Sequence, residues 1–153
     1  MNIFTRENDN ELLKYLNDKE LASVQKITKK ETFKTGSYIL EESDKNRDIF
    51  VIQKGSVSIC FVDKNNREQH ITTLYNGETF GEINFIIPVQ RTAYVKALEE
   101  VVIIRFPYED LLNFLKNDMA ICAKICASLN DSLAKRVVRT TQEFVHSLTT
   151  QNR

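Results

Sequence analysis

The stretch FGEINFIIPVQRTAYVKA, residues 80–97, interrupts a region that otherwise has the alternating pattern of β-strands. It places a Gly-Glu pair before a short apolar run, which Pro88 ends, and it brings in Arg91 nine positions after Glu82. A glutamate and an arginine at this separation are either an ordinary surface pair or the two ends of a binding site for an anion. The rest of the sequence has to distinguish these two interpretations.

Composition restricts the answer to one domain with a local site. The chain has 153 residues, of which 42% are hydrophobic and 27% are charged, so we expect one well-packed domain over residues 1–153. Its 21 basic and 21 acidic residues give a formal charge of zero. A neutral chain lacks the bulk attraction to nucleic acid or anionic lipid that a basic chain has. Any anion site must therefore be local.

The sequence also argues against several kinds of protein. The first residues, MNIFTRENDN, lack the apolar core of a signal peptide, and no run approaches the roughly 20 apolar residues of a membrane span. We therefore expect a cytoplasmic protein with no membrane segment. Cys60, Cys122 and Cys126 form no CxxC pair, and the two histidines, His70 and His146, are not at ligand spacing. This pattern predicts reduced core thiols and no metal site.

Apolar spacing divides the chain into a helical zone, a strand-rich zone and a second helical zone. Residues 9–29 carry leucines at helical intervals with an interruption near Asn17, which predicts two short helices. Residues 31–106 contain short strand-like runs, such as DIFVIQ and SVSICFV on either side of a turn at Gly55. Further runs are HITTLY, TAYVKALE and VVIIRF. Many short strands with turns between them favour a sandwich or a barrel that closes on itself.

The last zone, from Tyr108 onward, predicts a long amphipathic helix that Asp118 caps. Its apolar positions recur every four residues, at Ile121, Ile125, Leu129, Leu133 and Val137. Three interpretations of this stripe remain open. It packs against the sheet, it pairs with a second copy of the chain, or it closes over a ligand.

The opening stretch has the chemistry of a nucleotide site. Gly81 allows close backbone approach, and the residues after it are enough for one or two helical turns before Pro88. Free N–H groups at a helix start favour a phosphate, and a bidentate guanidinium from Arg91 suits two phosphate oxygens. Glu82 would repel a phosphate, but it can accept a hydrogen bond from a sugar hydroxyl while also steadying Arg91. A phosphate beside a hydroxyl describes a nucleotide.

At this point the sequence resembles a known family, the cyclic nucleotide-binding domains of catabolite-activator-type regulators, cyclic-nucleotide-dependent kinases and gated channels. The stretch is similar to that family's phosphate-binding cassette, which reads F-G-E-(L/I)-(A/S)-L, then R-(A/S/T)-A, then V-x-A. The resemblance implies an α+β, mainly β fold, with an antiparallel β-roll or jelly-roll barrel over residues 31–106 and the cassette at 80–97. N-terminal helices (1–30) and a long C-terminal helical segment (107–148) flank the roll.

The resemblance also implies a ligand, cAMP or cGMP, and a role for each cassette residue. Glu82 takes the ribose 2′-hydroxyl and Arg91 takes the cyclic phosphate. Backbone N–H groups near the two anchors complete the phosphate cradle, and Thr92 beside the arginine is compatible with cGMP as well as cAMP. The predicted nucleotide site consists of Gly81, Glu82, Ile83, Asn84, Arg91, Thr92 and Ala93.

The sequence departs from the family pattern at three places. Asn84 stands where the family has Ala or Ser, and Gln90 replaces a proline that often precedes the arginine. No helix-turn-helix sequence follows Leu148, so we expect no direct DNA binding and either a stand-alone sensor or a fragment of a longer protein. A small basic cluster, Lys135, Arg136 and Arg139, is interpreted as a solvated helix face.

Three functions from different classes follow. The first is a cyclic nucleotide sensor that relays occupancy through the C-terminal helix to a protein partner or to its own dimer. The second is an interaction module on the same fold that has lost nucleotide binding. The third is an enzyme, for which the sequence offers no catalytic Ser/His/Asp, Cys/His or paired-carboxylate arrangement. We therefore predict a non-enzymatic protein.

Overall fold

The computed structural model describes residues 10–91 and 93–151. Eight strands are present in this part of the chain: β1 (Lys29–Phe33), β2 (Tyr38–Leu40), β3 (Ile49–Lys54), β4 (Val57–Val62), β5 (Glu68–Leu74), β6 (Thr79–Phe80), β7 (Tyr94–Ala97) and β8 (Val101–Phe106). The helices are α1 (Asp18–Gln25), α2 (Glu82–Ile86), α3 (Tyr108–Asn117) and α4 (Met119–Gln151). None of these helices combines the length and apolar character needed to cross a membrane.

The strands form two antiparallel four-stranded sheets, in the orders β1-β8-β3-β6 and β2-β7-β4-β5. The turn predicted at Gly55 joins β3 to β4, and the runs predicted as further strands are β5, β7 and β8. This arrangement confirms the predicted α+β, mainly β fold with a long C-terminal helix.

Strand β3 explains why the run DIFVIQ is apolar at successive positions. Ile49 and Val51 pack in a cluster with the helices, whereas Phe50 and Ile52 pack in the interior of the roll. A strand covered on both faces needs apolar residues at odd and even positions alike. Phe50 also stacks on Phe80 of β6, with ring centroids 5.0 Å apart, and this contact fixes the point where the cassette leaves the sheet.

Near the N-terminus the structure differs from the sequence prediction. The second predicted helix is α1. Its N-cap is Asn17, which forms a capping box with Glu20 at the start of the helix. The first predicted helix is wrong in its described part, because residues 11–15 form turns. The carbonyl of Leu12 accepts a hydrogen bond from Ser128 of α4, and the side chains of Leu12 and Leu16 lie in the core beside that helix. Contacts with α4 therefore stabilise turns in this segment where the sequence predicts a helix.

The long helix α4 is buried only in its first part. Ile121, Ile125 and Leu129 lie in the core, whereas Val137 and every residue after Thr140 with a described side chain are exposed. The stripe predicted from the sequence is therefore continuous, but the domain covers only its first turns. Of the three cysteines, which are all free, Cys60 is buried and Cys126 is exposed, so the prediction of core thiols is wrong for Cys126.

Gly81 is the position where the backbone itself restricts the sequence. Its φ is 83°, and a Cβ atom there would lie 2.7 Å from the carbonyl oxygen of Asp48. Gly36 has nearly the same φ, 84°, but a Cβ there would meet nothing within 4 Å. Comparing substitutions at the two glycines therefore distinguishes the energetic cost of a left-handed backbone from that of a steric clash between Cβ and the neighbouring carbonyl.

We predict that Gly36→Ala lowers the free energy of unfolding by roughly 1–2 kcal/mol, because only the left-handed conformation opposes it. Gly81→Ala should cost about 1–3 kcal/mol more, since the backbone must also move away from Asp48. Urea denaturation of both variants beside the wild-type protein measures the difference. Equal losses in the two variants would contradict the close approach at Gly81.

Candidate nucleotide-binding site

The cassette begins where β6 ends. Gly81 is the N-cap of α2 in the left-handed conformation, and no side chain caps the helix there. The five residues of α2 end at Ile86, before Pro88, as the apolar run predicts. This geometry leaves the first N–H groups of α2 without intrahelical partners.

Arg91 is held by acceptors from two parts of the chain, although only 5% of it is exposed. Its Nη1 donates to Asn84 Oδ1 at 3.1 Å, and its Nη2 donates to Asn46 Oδ1 at 2.7 Å and to the carbonyl of Asp48 at 3.3 Å. Its Nε is buried and has no partner. Burial lowers the pKa of Arg91, while nearby Asp44 and Asp48 act to raise it. The guanidinium is therefore fixed in place with its Nε–H group unused.

Asn84 has a structural explanation that the sequence did not supply. The side-chain amide nitrogen of Asn84 donates to the carbonyl of Val89, and its Oδ1 accepts from Arg91, so the side chain joins α2 to residues 89–91. The backbone carbonyl of Asn84 accepts a hydrogen bond from Arg47 Nε at 2.7 Å. An alanine or serine at this position would be too short to form both side-chain contacts. Asn84 therefore orients Arg91.

Glu82 is the second buried charge, with 1% of the residue exposed. Its Oε1 accepts from Arg136 of α4, while its Oε2 is buried and has no partner. Burial raises the pKa of Glu82, and Arg136 acts to lower it. Glu82 was expected to steady Arg91, but its ion-pair partner is Arg136 instead.

The interpretation of the basic cluster as a solvated face is wrong for Arg136, while the side chain of Arg139 is 41% exposed. Lys135 is exposed, but Arg136 donates to Glu82 and to the carbonyl of Thr79, and Arg139 lies 3.2 Å from Glu78. The signal for these ion pairs in the sequence is the similar spacing of two arginines and two glutamates. The two arginines are three residues apart on a helix, and the two glutamates lie on either side of β6 in the sequence.

These groups surround a cavity of about 220 Å³. Six of the seven predicted site residues line it, namely Gly81, Glu82, Ile83, Asn84, Arg91 and Ala93. Thr92 lies outside the described residues. The remaining wall is mostly apolar and comes from the roll, while Arg136 and Thr140 of α4 close one side. A charged pair of opposite sign in a largely apolar pocket is suited to a ligand with an anionic group and a hydroxyl.

The described part of the chain offers few groups for other chemistry. It contains no group of three or more His, Cys, Asp or Glu residues placed to hold a metal ion. Ser58 and His70 share a hydrogen bond of 2.6 Å, but they lie on the neighbouring strands β4 and β5 and do not line the cavity.

Sequence comparison places this site in a known family. The model of the cyclic nucleotide-binding domain matches residues 30–118, which is more than half of the chain. The cAMP-activated global transcriptional regulator Vfr of Pseudomonas aeruginosa is 30% identical over 111 residues, covering 70% of this chain and 50% of that protein. The cGMP-dependent protein kinase 2 of Mus musculus is 28% identical over 94 residues, covering 61% of this chain and 12% of the kinase. The chain thus spans at most half the length of these two relatives.

Solved structures show the same fold. A cyclic nucleotide-binding domain from Methylobacillus flagellatus superposes with a TM-score of 0.84 at 18% identity, covering 92% of this chain and 83% of that one. The catabolite activator protein of Thermus thermophilus superposes with a TM-score of 0.73 at 20% identity, covering 88% of this chain and 61% of that one. The family match over the roll and the cassette, together with this likeness, leads to one conclusion: the chain belongs to the cyclic nucleotide-binding domain family.

Proposed function

We propose that this protein is a sensor that binds cAMP or cGMP in the cavity beside the cassette, and that it is not an enzyme. Glu82 accepts a hydrogen bond from the ribose 2′-hydroxyl, and Arg91 binds the cyclic phosphate together with backbone N–H groups of the cassette. Thr92 and Ala93 follow the arginine and complete the phosphate cradle. The family and the names of its cAMP-activated and cGMP-dependent relatives support this class of ligand.

One observation carries the proposal. Glu82 Oε2 and Arg91 Nε are both buried and unpartnered, and both residues line the same cavity. Buried polar atoms in folded proteins almost always have hydrogen-bond partners, so two unused atoms of opposite character, on residues that line one cavity, support a ligand that supplies both partners. A ribose hydroxyl can donate to the carboxylate oxygen, and a phosphate oxygen can accept from the guanidinium.

The relay to the C-terminal helix is supported by a chain of contacts from Arg91. Its guanidinium donates to the carbonyl of Asp48, whose carboxylate accepts from the backbone N–H of Tyr108 at 2.7 Å. Tyr108 is the first residue of α3, and Asp118 between α3 and α4 caps α4 by accepting from the N–H of Ile121. A shift of Arg91 toward a phosphate would therefore act on α3, which Asp118 joins to α4.

A second candidate is an interaction module with no ligand, and two features of the structure favour it. The Nη atoms of Arg91 already have protein acceptors, and Glu82 already has an arginine partner. A cavity of about 220 Å³ is also smaller than the roughly 300–1,000 Å³ of typical ligand pockets. A binding measurement separates the two candidates.

We predict that calorimetric titration with cAMP and with cGMP detects binding of at least one of them to the wild-type protein. Arg91→Ala should weaken that binding by roughly 2–5 kcal/mol, on the order of 30-fold or more, because a buried charge-assisted anchor is lost. Because Arg91 also holds Asn46 and Asp48, Arg91→Lys tests the loss of the bidentate fork with the charge kept. The control is Arg67→Ala, which removes an exposed arginine from the β4–β5 turn.

Binding that is equally tight in wild type, Arg91→Lys and Arg91→Ala would contradict the proposed anchor. Absence of binding of either nucleotide to a folded wild-type protein would favour the second candidate.

We also propose that the exposed end of α4 pairs with a second copy of the chain. Val137 and Phe144 are 65% and 63% exposed, and with Thr141 and Leu148 they follow the four-three-four spacing of a coiled-coil seam. An apolar stripe of this kind on a helix that leaves its own domain is suited to a matching helix.

Light scattering should therefore give the mass of a dimer for the wild-type protein. Phe144→Glu should shift it toward the monomer, because the substitution places two like charges at the seam. Gln142→Glu adds the same charge outside the seam and should leave the mass unchanged. A monomeric wild-type mass both with and without nucleotide would rule out this pairing.

A further inference from the structure

Arg47, in the loop between β2 and β3, binds the end of the cassette helix from outside the nucleotide cavity. Its Nε donates to the carbonyl of Asn84 at 2.7 Å, and its Nη2 donates to the carbonyl of Phe85 at 3.0 Å. Arg47 is not among the residues that line the cavity of about 220 Å³. Any effect of this arginine on a ligand there must therefore pass through the residues that it holds.

The two carbonyls that Arg47 binds lie in the last turn of α2, where a helix has no N–H donors of its own left for its carbonyl groups. A helix of five residues is also too short to be stable by itself. A guanidinium at the C-terminal end satisfies two of these carbonyls and places a positive charge at the negative end of the helix dipole. Arg47 therefore caps α2 from a position 37 residues before Asn84.

Arg47 is itself held by Tyr108, the first residue of α3. Its Nη1 donates to the Tyr108 hydroxyl at 2.8 Å, and its guanidinium lies over the tyrosine ring, 4.3 Å from the centroid. The ring of Phe85 forms a T-shaped contact with the same tyrosine, with the centroids 5.4 Å apart. All three nitrogens of the Arg47 guanidinium are hydrogen-bonded and one of its faces is covered, so its position is fixed.

The segment that leads from α2 to Arg91 has little packing behind it. Residues 86–90 are exposed, and two of them line both the nucleotide cavity and a second cavity of about 570 Å³. The hydrogen bonds of the Asn84 side chain to Val89 and to Arg91 hold this segment instead. The position of Arg91 therefore depends in part on Asn84, whose backbone is held by Arg47.

We propose that Arg47 is a positioning residue for the nucleotide site. It fixes the backbone at Asn84, and Asn84 in turn holds the Arg91 guanidinium where a cyclic phosphate can bind it. This inference rests on the proposed function and adds to it a residue outside the cavity. Without Arg47, α2 and the Asn84 side chain adopt other positions as well, and the fraction of molecules with a competent site falls.

The test compares the full-length wild-type protein with Arg47→Gln, Arg47→Lys, Asn84→Ala and the double variant that combines Arg47→Gln with Asn84→Ala. Arg47→Lys keeps the charge but lacks the planar fork that reaches two carbonyls and a hydroxyl at once. Lys45→Gln is the control for charge, because it makes the change of Arg47→Gln at an exposed residue of the same loop. Gly36→Ala is the control for stability, because it strains a turn that does not line the cavity.

Two quantities are measured for each protein. Calorimetric titration with cAMP and with cGMP gives the affinity. The NMR signal of the Arg91 Nε–H group, recorded without nucleotide, reports whether the guanidinium has changed its surroundings. Urea denaturation shows that each variant is folded, and Arg47→Lys, the milder change, carries the test if Arg47→Gln does not fold.

We expect Arg47→Gln to weaken nucleotide binding about tenfold or more, because the competent fraction falls by the same factor. It should also move the Arg91 Nε–H signal. Arg47→Lys should weaken binding by a smaller factor. The double variant should bind about as weakly as the weaker of its two single variants, since both substitutions interrupt the same series of contacts. Lys45→Gln and Gly36→Ala should bind like the wild-type protein.

Wild-type affinity in both Arg47 variants overturns the inference while leaving the proposed nucleotide binding intact, and so does an unmoved Arg91 Nε–H signal in Arg47→Gln. Losses that add in the double variant overturn the route through Asn84. Binding by Gly36→Ala that is as weak as binding by Arg47→Gln would assign the effect to lowered stability. If neither nucleotide binds to the folded wild-type protein, the proposed function fails and this inference fails with it.

Discussion

Two opposite charges removed from water at one end of the β-roll are the constraint on which the rest of the structure depends. A buried charge is tolerated only with hydrogen-bonding partners, so Glu82 and Arg91 require neighbours at fixed positions. Arg91 donates hydrogen bonds to Asn46 and Asp48 of one loop and to the side chain of Asn84. Glu82 forms an ion pair with Arg136 of the last helix. These hydrogen bonds and this ion pair connect the cassette, the loop and α4.

The same constraint gives α4 three successive roles. Its first turns are part of the core, as the burial of Ile121 and Leu129 shows. Its middle is attached to the roll by two arginines that meet glutamates on either side of β6. Its last turns are exposed and carry the apolar stripe around Phe144. The middle of α4 therefore lies between the nucleotide site and the exposed surface that we propose pairs with a second copy.

Much of the fold was predictable from sequence because its signals are local. Alternation within SVSICFV and the apolar run of β3 predict strands, and the Gly81 turn with Pro88 predicts a helix as short as α2. The role of Arg136 was not predictable in the same way, since its partner is brought close only by folding. The side-chain partners of Asn84 are five and seven residues away, but the bend that brings them to it is not a regular element with a sequence period. Arg136 is 54 residues from Glu82. The turns at residues 11–15 were missed for the same reason, because α4 supplies their contacts.

An NMR titration that follows the arginine Nε–H signals of isotope-labelled protein tests most directly whether Arg91 binds the cyclic phosphate. The Arg91 signal is identified by its loss in Arg91→Lys, and the protein is titrated with cAMP and cGMP, with adenosine and guanosine as phosphate-free controls. If the unpartnered Nε of Arg91 binds the cyclic phosphate, its signal moves with a cyclic nucleotide and stays in place with the nucleosides. An unmoved Arg91 signal in nucleotide-saturated protein would contradict the binding of the phosphate by Arg91.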